Sequence, residues 1–344
     1  MKYRVQGTPE PLNPRTLMLS YVTRRLLHMI PLLFGITLLA FLIIDLAPGD
    51  YFSTLKMNPS ISPDLIHQME LQFGYGDPLP IRYFKWLWRV LHLDLGLSVA
   101  YRVKVVDLIG ARALNTVILA AASMLVTWSL AIPIGIAVAL RPNSFADRVL
   151  SFMAFFGMSL PNFFLAFLLM FAALRTGWFP IGGSFSVDYD SLSVSGKIAD
   201  RLHHLWLPMF VLGIGGMASL MRLMRANILE IKQADYVRTA RAKGLSERVV
   251  VGKHILRNAL NPFITLAGYE LGNLLGGAAL VEAVMNLQGL GALMLDGVRS
   301  LDVYLVMGSV LIGSVLLLMG NLLADLALTL VDPRIDFTRL QSSR

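Results

Sequence analysis

Six stretches of this chain are apolar for long enough to cross about 30 Å of hydrocarbon, and nothing else in the sequence limits its fold as strongly. They lie near residues 26–46, 113–140, 149–174, 205–228, 262–284 and 304–330. Only 15% of the residues are charged and 56% are hydrophobic. A soluble domain of this size takes roughly 25% charge to cover its surface, so lipid must replace water around most of this one. A backbone in lipid has to satisfy its own hydrogen bonds, which makes each run a helix. The sequence predicts an all-α polytopic membrane protein with six transmembrane helices. The first run follows a basic segment and ends in LAPGD, without a small-residue cleavage site, so it reads as an anchor and not as a removable leader.

The predicted organisation is an N-terminal segment (1–25), a first span (26–46), an outer segment with interfacial helices (47–112), a five-helix core (113–331) containing a polar loop (229–261), and a tail (332–344). An even number of spans puts both termini on one side, and the cations decide which. Lys2, Arg4, Arg15, Arg24 and Arg25 precede the first span, Arg141 and Arg148 lie between spans two and three, and nine Lys and Arg crowd Arg222 to Arg257. With Arg334, Arg339 and Arg344 in the tail, this side holds most of the 30 cations. Both termini and the polar loop are expected in the cytoplasm, and residues 47–112 and 175–203 outside. The net charge of +8 is accounted for by this sorting, so no nucleic-acid partner is expected.

In the outer segment, Ser62-Pro63 followed by Asp64 reads as a helix start with a capping hydroxyl. RYFKWLWRVL (82–91) alternates cations with Phe84, Trp86, Leu87 and Trp88, the pattern of an interfacial helix with aromatic anchors, or of a docking surface for an external partner. Catalytic chemistry is hard to find. The chain has no GxxxxGK[ST], HExxH or GxSxG, and no cysteine. His203-His204 point about 100° apart on a helix with no third ligand nearby, so a non-ligand role is expected. No metal and no catalytic residue are assigned.

ADYVRTARAKGLSERVVVGKHILRNALNP (234–262) reads as a helix-turn-helix. Asp235 can cap a short helix running to Lys243, Gly244 suits the left-handed residue that ends it, and Ser246 can cap a second helix that stops before Asn261-Pro262. The small residues Thr239, Ala240 and Ala242 would let the first helix sit in a partner's groove, rimmed by Arg238, Arg241 and Lys243. The plainer alternative is a basic loop that only sets orientation.

This loop resembles the conserved cytoplasmic loop of ATP-binding-cassette importer permeases, which runs Glu-Ala-Ala, three residues, Gly, nine residues, Ile-x-Leu-Pro. Gly244 occupies the glycine, and His254-Ile255-Leu256-Arg257 falls on the last motif. Arg238-Thr239-Ala240 replaces Glu-Ala-Ala, and Arg257 replaces the proline. YVRTARAKGL and HILRNALNP are similar to the form found in the dipeptide, oligopeptide and nickel branch. RRLLHMIPLLFGIT, LAPGD, LDLGLS, NLQGLGALMLDGVRSLDVYLVMG and LVDPRIDF resemble the first permease subunit of that branch. The resemblance implies a non-catalytic half of a translocation pathway in a bacterial inner membrane. Its partners would be a related second permease, two cytoplasmic ATPases that bind ATP and Mg, and an external solute-binding protein. The ATPase-coupling residues would be Asp235, Tyr236, Arg238, Thr239, Ala240, Arg241, Ala242, Lys243 and Gly244. A short peptide is the first choice of substrate, ahead of nickel chelates, glutathione or a sugar-type solute.

In span five, Gly268, Gly272 and Gly276 recur every four residues, a stripe that lets a second helix approach closely. Glu270 and Asn273 lie within it. Glu270 either lines the pathway and meets a substrate's charged amino end, or makes an interhelical hydrogen bond. Asp325 is expected to pair with a loop cation or to cap neighbouring backbone, and Glu282 to sit at the outer interface. An ion-coupled secondary transporter would show paired broken helices, and an intramembrane enzyme a nucleophile–base pair inside the spans; the sequence signals neither. In this cysteine-free chain, a Ser246→Cys variant should react with a membrane-impermeant thiol reagent only from the cytoplasmic face; reaction from outside would overturn the topology.

Overall fold

The computed structural model describes residues 14–57 and 60–331, with side chains left out at 14–17, 54, 264–265, 268–277, 324 and 327–331. The cations before Pro14 and the tail from 332 onward lie outside the described residues. Among the described residues all regular structure is helical, apart from one isolated bridge between Leu97 and Lys104.

Helix α1 spans Pro14–Asp45, starting well before the apolar run because nothing between Pro14 and Pro31 breaks a helix. Three shorter helices follow: α2 (Tyr51–Lys56), α3 (Pro63–Gln72) and α4 (Leu79–Leu91). α5 (Val105–Leu140) begins eight residues before the second apolar run. The third run is not one rod: α6 (Phe145–Ser159) and α7 (Asn162–Thr176) meet at 104°. Pro161 has no N–H to continue the ladder, and it drives the preceding residue out of the helical region. α8 (Val194–Ile231) extends beyond both ends of the fourth run.

The polar loop forms α9 (Asp235–Ala242), α10 (Glu247–Val249), a π-helical stretch (Val250–Leu256) and α11 (Arg257–Ala259). The chain ends with α12 (Asn261–Val284), α13 (Leu290–Arg299) and α14 (Val303–Val331). Four described helices are long and apolar enough to cross a membrane, in α1, α5, α8 and α14, and the bent pair makes five if counted as one span. α12 adds 24 helical residues, half of whose side chains are outside the description. The polytopic all-α class holds, with fewer spans meeting that test than the six expected.

α5 and α8 run side by side in the same direction and form the centre. A Cβ on Gly135 would lie 2.7 Å from Met224 Cβ and 2.9 Å from the Met221 carbonyl oxygen, so only glycine permits this approach. Thr127 donates to the Gly213 carbonyl at 3.0 Å nearby. α6 runs antiparallel to α8, joined near its start by Arg225, whose Nε and Nη2 donate to Asp147 at 3.1 and 2.9 Å. Asp325 does pair with a cation, but its partner Arg25 belongs to helix α1 and not to a loop, and it also accepts from the Tyr21 hydroxyl at 3.0 Å.

Helices α2–α4 cap the bundle. Tyr83 and Trp86 of α4 are buried against Phe41 and Met307, so Trp86 is core and not the interfacial anchor expected from its neighbours. Phe84 and Trp88 remain exposed. Pro63 opens α3 as expected, but the Ser62 hydroxyl makes no capping bond.

Glu282 departs furthest from expectation. It is not at an inexpensive interface but fully buried. It accepts from the Thr116 hydroxyl at 2.6 Å, from Gly291 N at 2.9 Å and from Ala292 N at 3.1 Å. Two of these donors belong to the otherwise unpaired first turn of α13. A Cβ on Gly289 would lie 2.0 Å from Glu282 Cδ, so the bare backbone there makes room for the carboxylate. Glu282→Ala, which orphans three buried donors, and Gly289→Ala, which invades the same space, should each cost roughly 1–3 kcal/mol or more of stability. Thermal unfolding in detergent, followed by tryptophan fluorescence, checks this; unchanged midpoints would overturn it.

Candidate functional site

The loop between α8 and α12 is the one described region that carries a folded polar surface at the end of the bundle opposite α2–α4. α9 has eight residues, too few to be stable in isolation, so its order comes from tertiary contact. Val237 and Ala240, three apart, are buried in a core with Met221, Met224 and Ile228 of α8 and with Val250, Ile255, Ala259 and Phe263. The other six side chains of α9 are exposed. Asp235 stands at the first helical position, where its charge suits the helix dipole, but Ala234 is the cap residue. The Thr239 hydroxyl bonds back to the Asp235 carbonyl at 2.8 Å.

Gly244 has φ +75°, the left-handed conformation that ends the helix. Its N–H donates to the Arg241 carbonyl at 2.9 Å, and Leu245 N donates to the Ala240 carbonyl at 3.4 Å. Beyond the turn, Ser246 precedes α10 without a side-chain capping bond. The second helix reaches Ala259, but it passes through a π-helical stretch that the spacing did not reveal. Tyr236 and Asn258 join the two arms, Asn258 Nδ2 donating to the Tyr236 hydroxyl at 3.0 Å.

The outward face therefore differs from the one predicted. Ala240 is turned inward and serves as an anchor, while Thr239 and Ala242 stay outward. Arg241 is not a free rim cation: its Nη2 and Nε donate to Glu247 at 2.7 and 3.2 Å, across the turn. Arg238 lies 3.8 Å from Asp235, and Lys243 is exposed. Tyr236 and Leu245 are exposed apolar groups beside these cations. A small exposed helix with an apolar centre, a basic margin and a fixed turn can dock into a partner's groove; it holds no group that could perform catalysis alone.

The candidate pathway residues Glu270 and Asn273, and the stripe Gly268, Gly272 and Gly276, lie on α12, but their side chains are outside the described residues. His203 Nε2 lies 3.1 Å from the Trp178 carbonyl oxygen, and His204 Nδ1 lies 2.9 Å from that of Asp200. Among the described residues no group of three His, Asp or Glu is placed to hold a metal ion. Sequence reasoning missed the Asp147–Arg225 pair, although Ser144 and Asp147 have capping-box spacing: the Ser144 hydroxyl accepts from Asp147 N at 3.1 Å.

Over residues 131–337 the sequence matches the family described as "Binding-protein-dependent transport system inner membrane component". The chain is 41% identical over 322 residues to the oligopeptide transport system permease protein AppB of Bacillus subtilis, covering 93% of this chain and all of that protein. It is 33% identical over 335 residues to the dipeptide transport system permease protein DppB of Escherichia coli, covering 92% and 99%. It is 36% identical over 321 residues to the glutathione transport system permease protein GsiC of Salmonella choleraesuis, covering 93% and 100%.

The Arg241–Glu247 bridge gives the loop a pH signature. The hydrogen bond from Arg241 holds the Glu247 carboxyl below the usual glutamate range. A carboxyl lowered in this way stabilises the fold above its ordinary value, and the contribution is lost as pH falls through the lowered one. Amide exchange at Gly244 and Leu245 should rise, relative to the rest of α9, as pH drops below ~4. Glu247→Gln should remove that added pH dependence; an identical profile in the variant would exclude the bridge as its source.

Proposed function

This chain belongs to the family of binding-protein-dependent transport system inner membrane components, and on that premise we propose that it imports di- or oligopeptides as one of a pair of related permeases. In this reading its spans form half of the translocation pathway. Two cytoplasmic ATPases bind ATP and Mg and supply the energy, and an external solute-binding protein delivers the substrate. Both termini and the loop holding α9 face the cytoplasm. The relatives named for oligopeptide and dipeptide transport support the substrate class. The relative named for glutathione transport keeps that small peptide as a second reading within it.

One observation carries the coupling role: α9 buries only Val237 and Ala240, in the core shared by α8 and the second arm of the loop, and leaves its other six side chains exposed. We assign Tyr236, Arg238, Thr239, Ala242 and Lys243 to the ATPase contact. Val237 and Ala240 pass the contact to the bundle, and the Arg241–Glu247 bridge with Gly244 holds its shape. Glu270 and Asn273 keep their place as pathway candidates on α12.

Gly244 tests this with little collateral damage. A Cβ there would meet nothing within 4 Å, so Gly244→Val acts through backbone strain of roughly 1–2 kcal/mol and not through a clash. The variant should insert and pair normally, yet bind the ATPases poorly or let them hydrolyse ATP without import. Arg238→Ala should have a smaller effect that fades with added salt. Peptide uptake and ATPase rate of the reconstituted assembly are the measurement; fully coupled transport by Gly244→Val would reduce the loop to an orientation-setting linker.

A further inference from the structure

Arg222 of α8 is a cation that no described carboxylate answers. Arg225, one turn nearer the cytoplasm, pairs with Asp147 in the first turn of α6. Arg222 has no ion pair among the described residues, and its Nε is buried with no hydrogen-bond partner. Its guanidinium lies 4.7 Å from the centre of the Phe155 ring, and Nη2 lies 3.8 Å from Met158 Sδ, a weak acceptor.

Direction is informative here. Helical side chains lean toward the helix N-terminus, which for α8 is the outer end. Met158 is 11 residues along α6 from Asp147, a rise of about 16 Å. Arg222 therefore reaches from the cytoplasmic margin toward the membrane interior, the opposite of a lysine or arginine that snorkels to the nearer headgroups.

It reaches toward the break. α6 ends at Ser159 and α7 starts at Asn162, turned through 104°. Asn162 lies against α8, where a Cβ on Gly215 would be 2.8 Å from its Oδ1. The Ser219 hydroxyl, one turn from Arg222, is 3.5 Å from Met158 Sδ. The last carbonyls of α6 lose their donors at Pro161, and non-helical backbone at membrane depth is tolerated only against protein or in a water-filled cavity. An unpaired guanidinium and the Ser219 hydroxyl thus meet at Met158, the residue before the end of α6, beside a broken span, the arrangement in which transporters place substrate groups near mid-membrane.

We propose that Arg222, with Ser219, forms a way-station in the translocation pathway that binds the terminal carboxylate of a passing peptide. This deepens the peptide-permease reading and rests on it. Arginine suits the task because its planar fork meets a carboxylate with two parallel bonds and keeps its charge at every working pH. A site missing further carboxylate-binding cations would hold the peptide weakly enough to release it.

The test compares uptake of a dipeptide and of its C-terminal amide by the full assembly in proteoliposomes. The preference of the solute-binding protein is common to every variant, so it cancels in the change of the acid-to-amide ratio. Arg222→Gln should lower that ratio about tenfold, the loss expected for one charged hydrogen-bonded contact. Arg222→Lys should keep part of it. An unchanged ratio, whatever the absolute uptake, overturns the proposal. A second measurement leaves Arg222 in place: Ser219→Cys should react faster with an anionic than with a cationic water-soluble methanethiosulfonate, and dipeptide turnover should slow the reaction. No reaction in any state would remove the cluster from water and also overturn the proposal. Failure of the wild-type assembly to import either dipeptide would instead reject the peptide reading itself.

Discussion

The structure is governed by the requirement that a backbone in hydrocarbon must find its hydrogen bonds within the chain. Inside a helix this is automatic, so the requirement falls on helix ends, and carboxylates near three helix starts meet it. Asp147 accepts from Asn143 N at 2.9 Å as α6 begins. Glu282 takes the first N–H groups of α13. Asp302 accepts from Leu305 N at 3.1 Å in the first turn of α14, and from Ser98 Oγ and Ala100 N in the outer segment at 2.6 and 3.0 Å. Each carboxylate sits at the positive end of a helix dipole, and each also ties two parts of the chain together. The short α13 is positioned by this means: Glu282 fixes its start to α12 and to Thr116 of α5, so three helices share one buried group.

The same requirement shows where the chain departs from it. Between Ser159 and Asn162 the ladder is interrupted beside the middle of α8, and at Gly244 it reverses in a loop exposed to solvent. These two irregular points are joined through α8. Val237 and Ala240 of α9 share one buried core with Met221, Met224 and Ile228, the inward stripe of the helix that carries Ser219 and Arg222 on another face. Gly135 brings α5 into direct contact with that stripe, and Asp147 locks α6 to Arg225.

Much of this was legible in the sequence, because hydropathy and charge report directly on the membrane. The apolar runs located the helices, and Gly244 located the turn by the one backbone conformation that favours glycine. Asp325 with a cation was legible because a lone carboxylate in a span has few alternatives. Other features follow from contacts between distant positions. Glu282 looks interfacial from its place at the end of a run, and only the fold brings Thr116 and the glycine-lined loop at 289–291 around it. Trp86 and Trp88 are equivalent in pattern, yet one is buried with Phe41 and Met307 and the other stays exposed, with only His92 of its own helix end against its ring. Ala240 and Ala242 are both small, and the face of α9 that receives the core decides between them. The apolar residues around Pro161 read as one continuous span, and only the fold shows the break there.

A last step concerns what covers the bent pair. Phe152, Phe156, Phe163, Phe167 and Phe171 are all exposed along α6 and α7. Lipid accepts aromatic side chains readily, so their exposure alone discriminates nothing. The break between them does discriminate, because acyl chains cannot satisfy the carbonyls that Pro161 leaves open, nor solvate the guanidinium of Arg222 beside them. That side of the molecule has to meet protein or enclosed water. Under the proposed pairing, a related permease facing this chain would supply that cover and enclose Arg222 between the two. On that reading the pairing follows from backbone chemistry: the broken helix that admits a polar group at membrane depth also makes lipid a poor cover for that face.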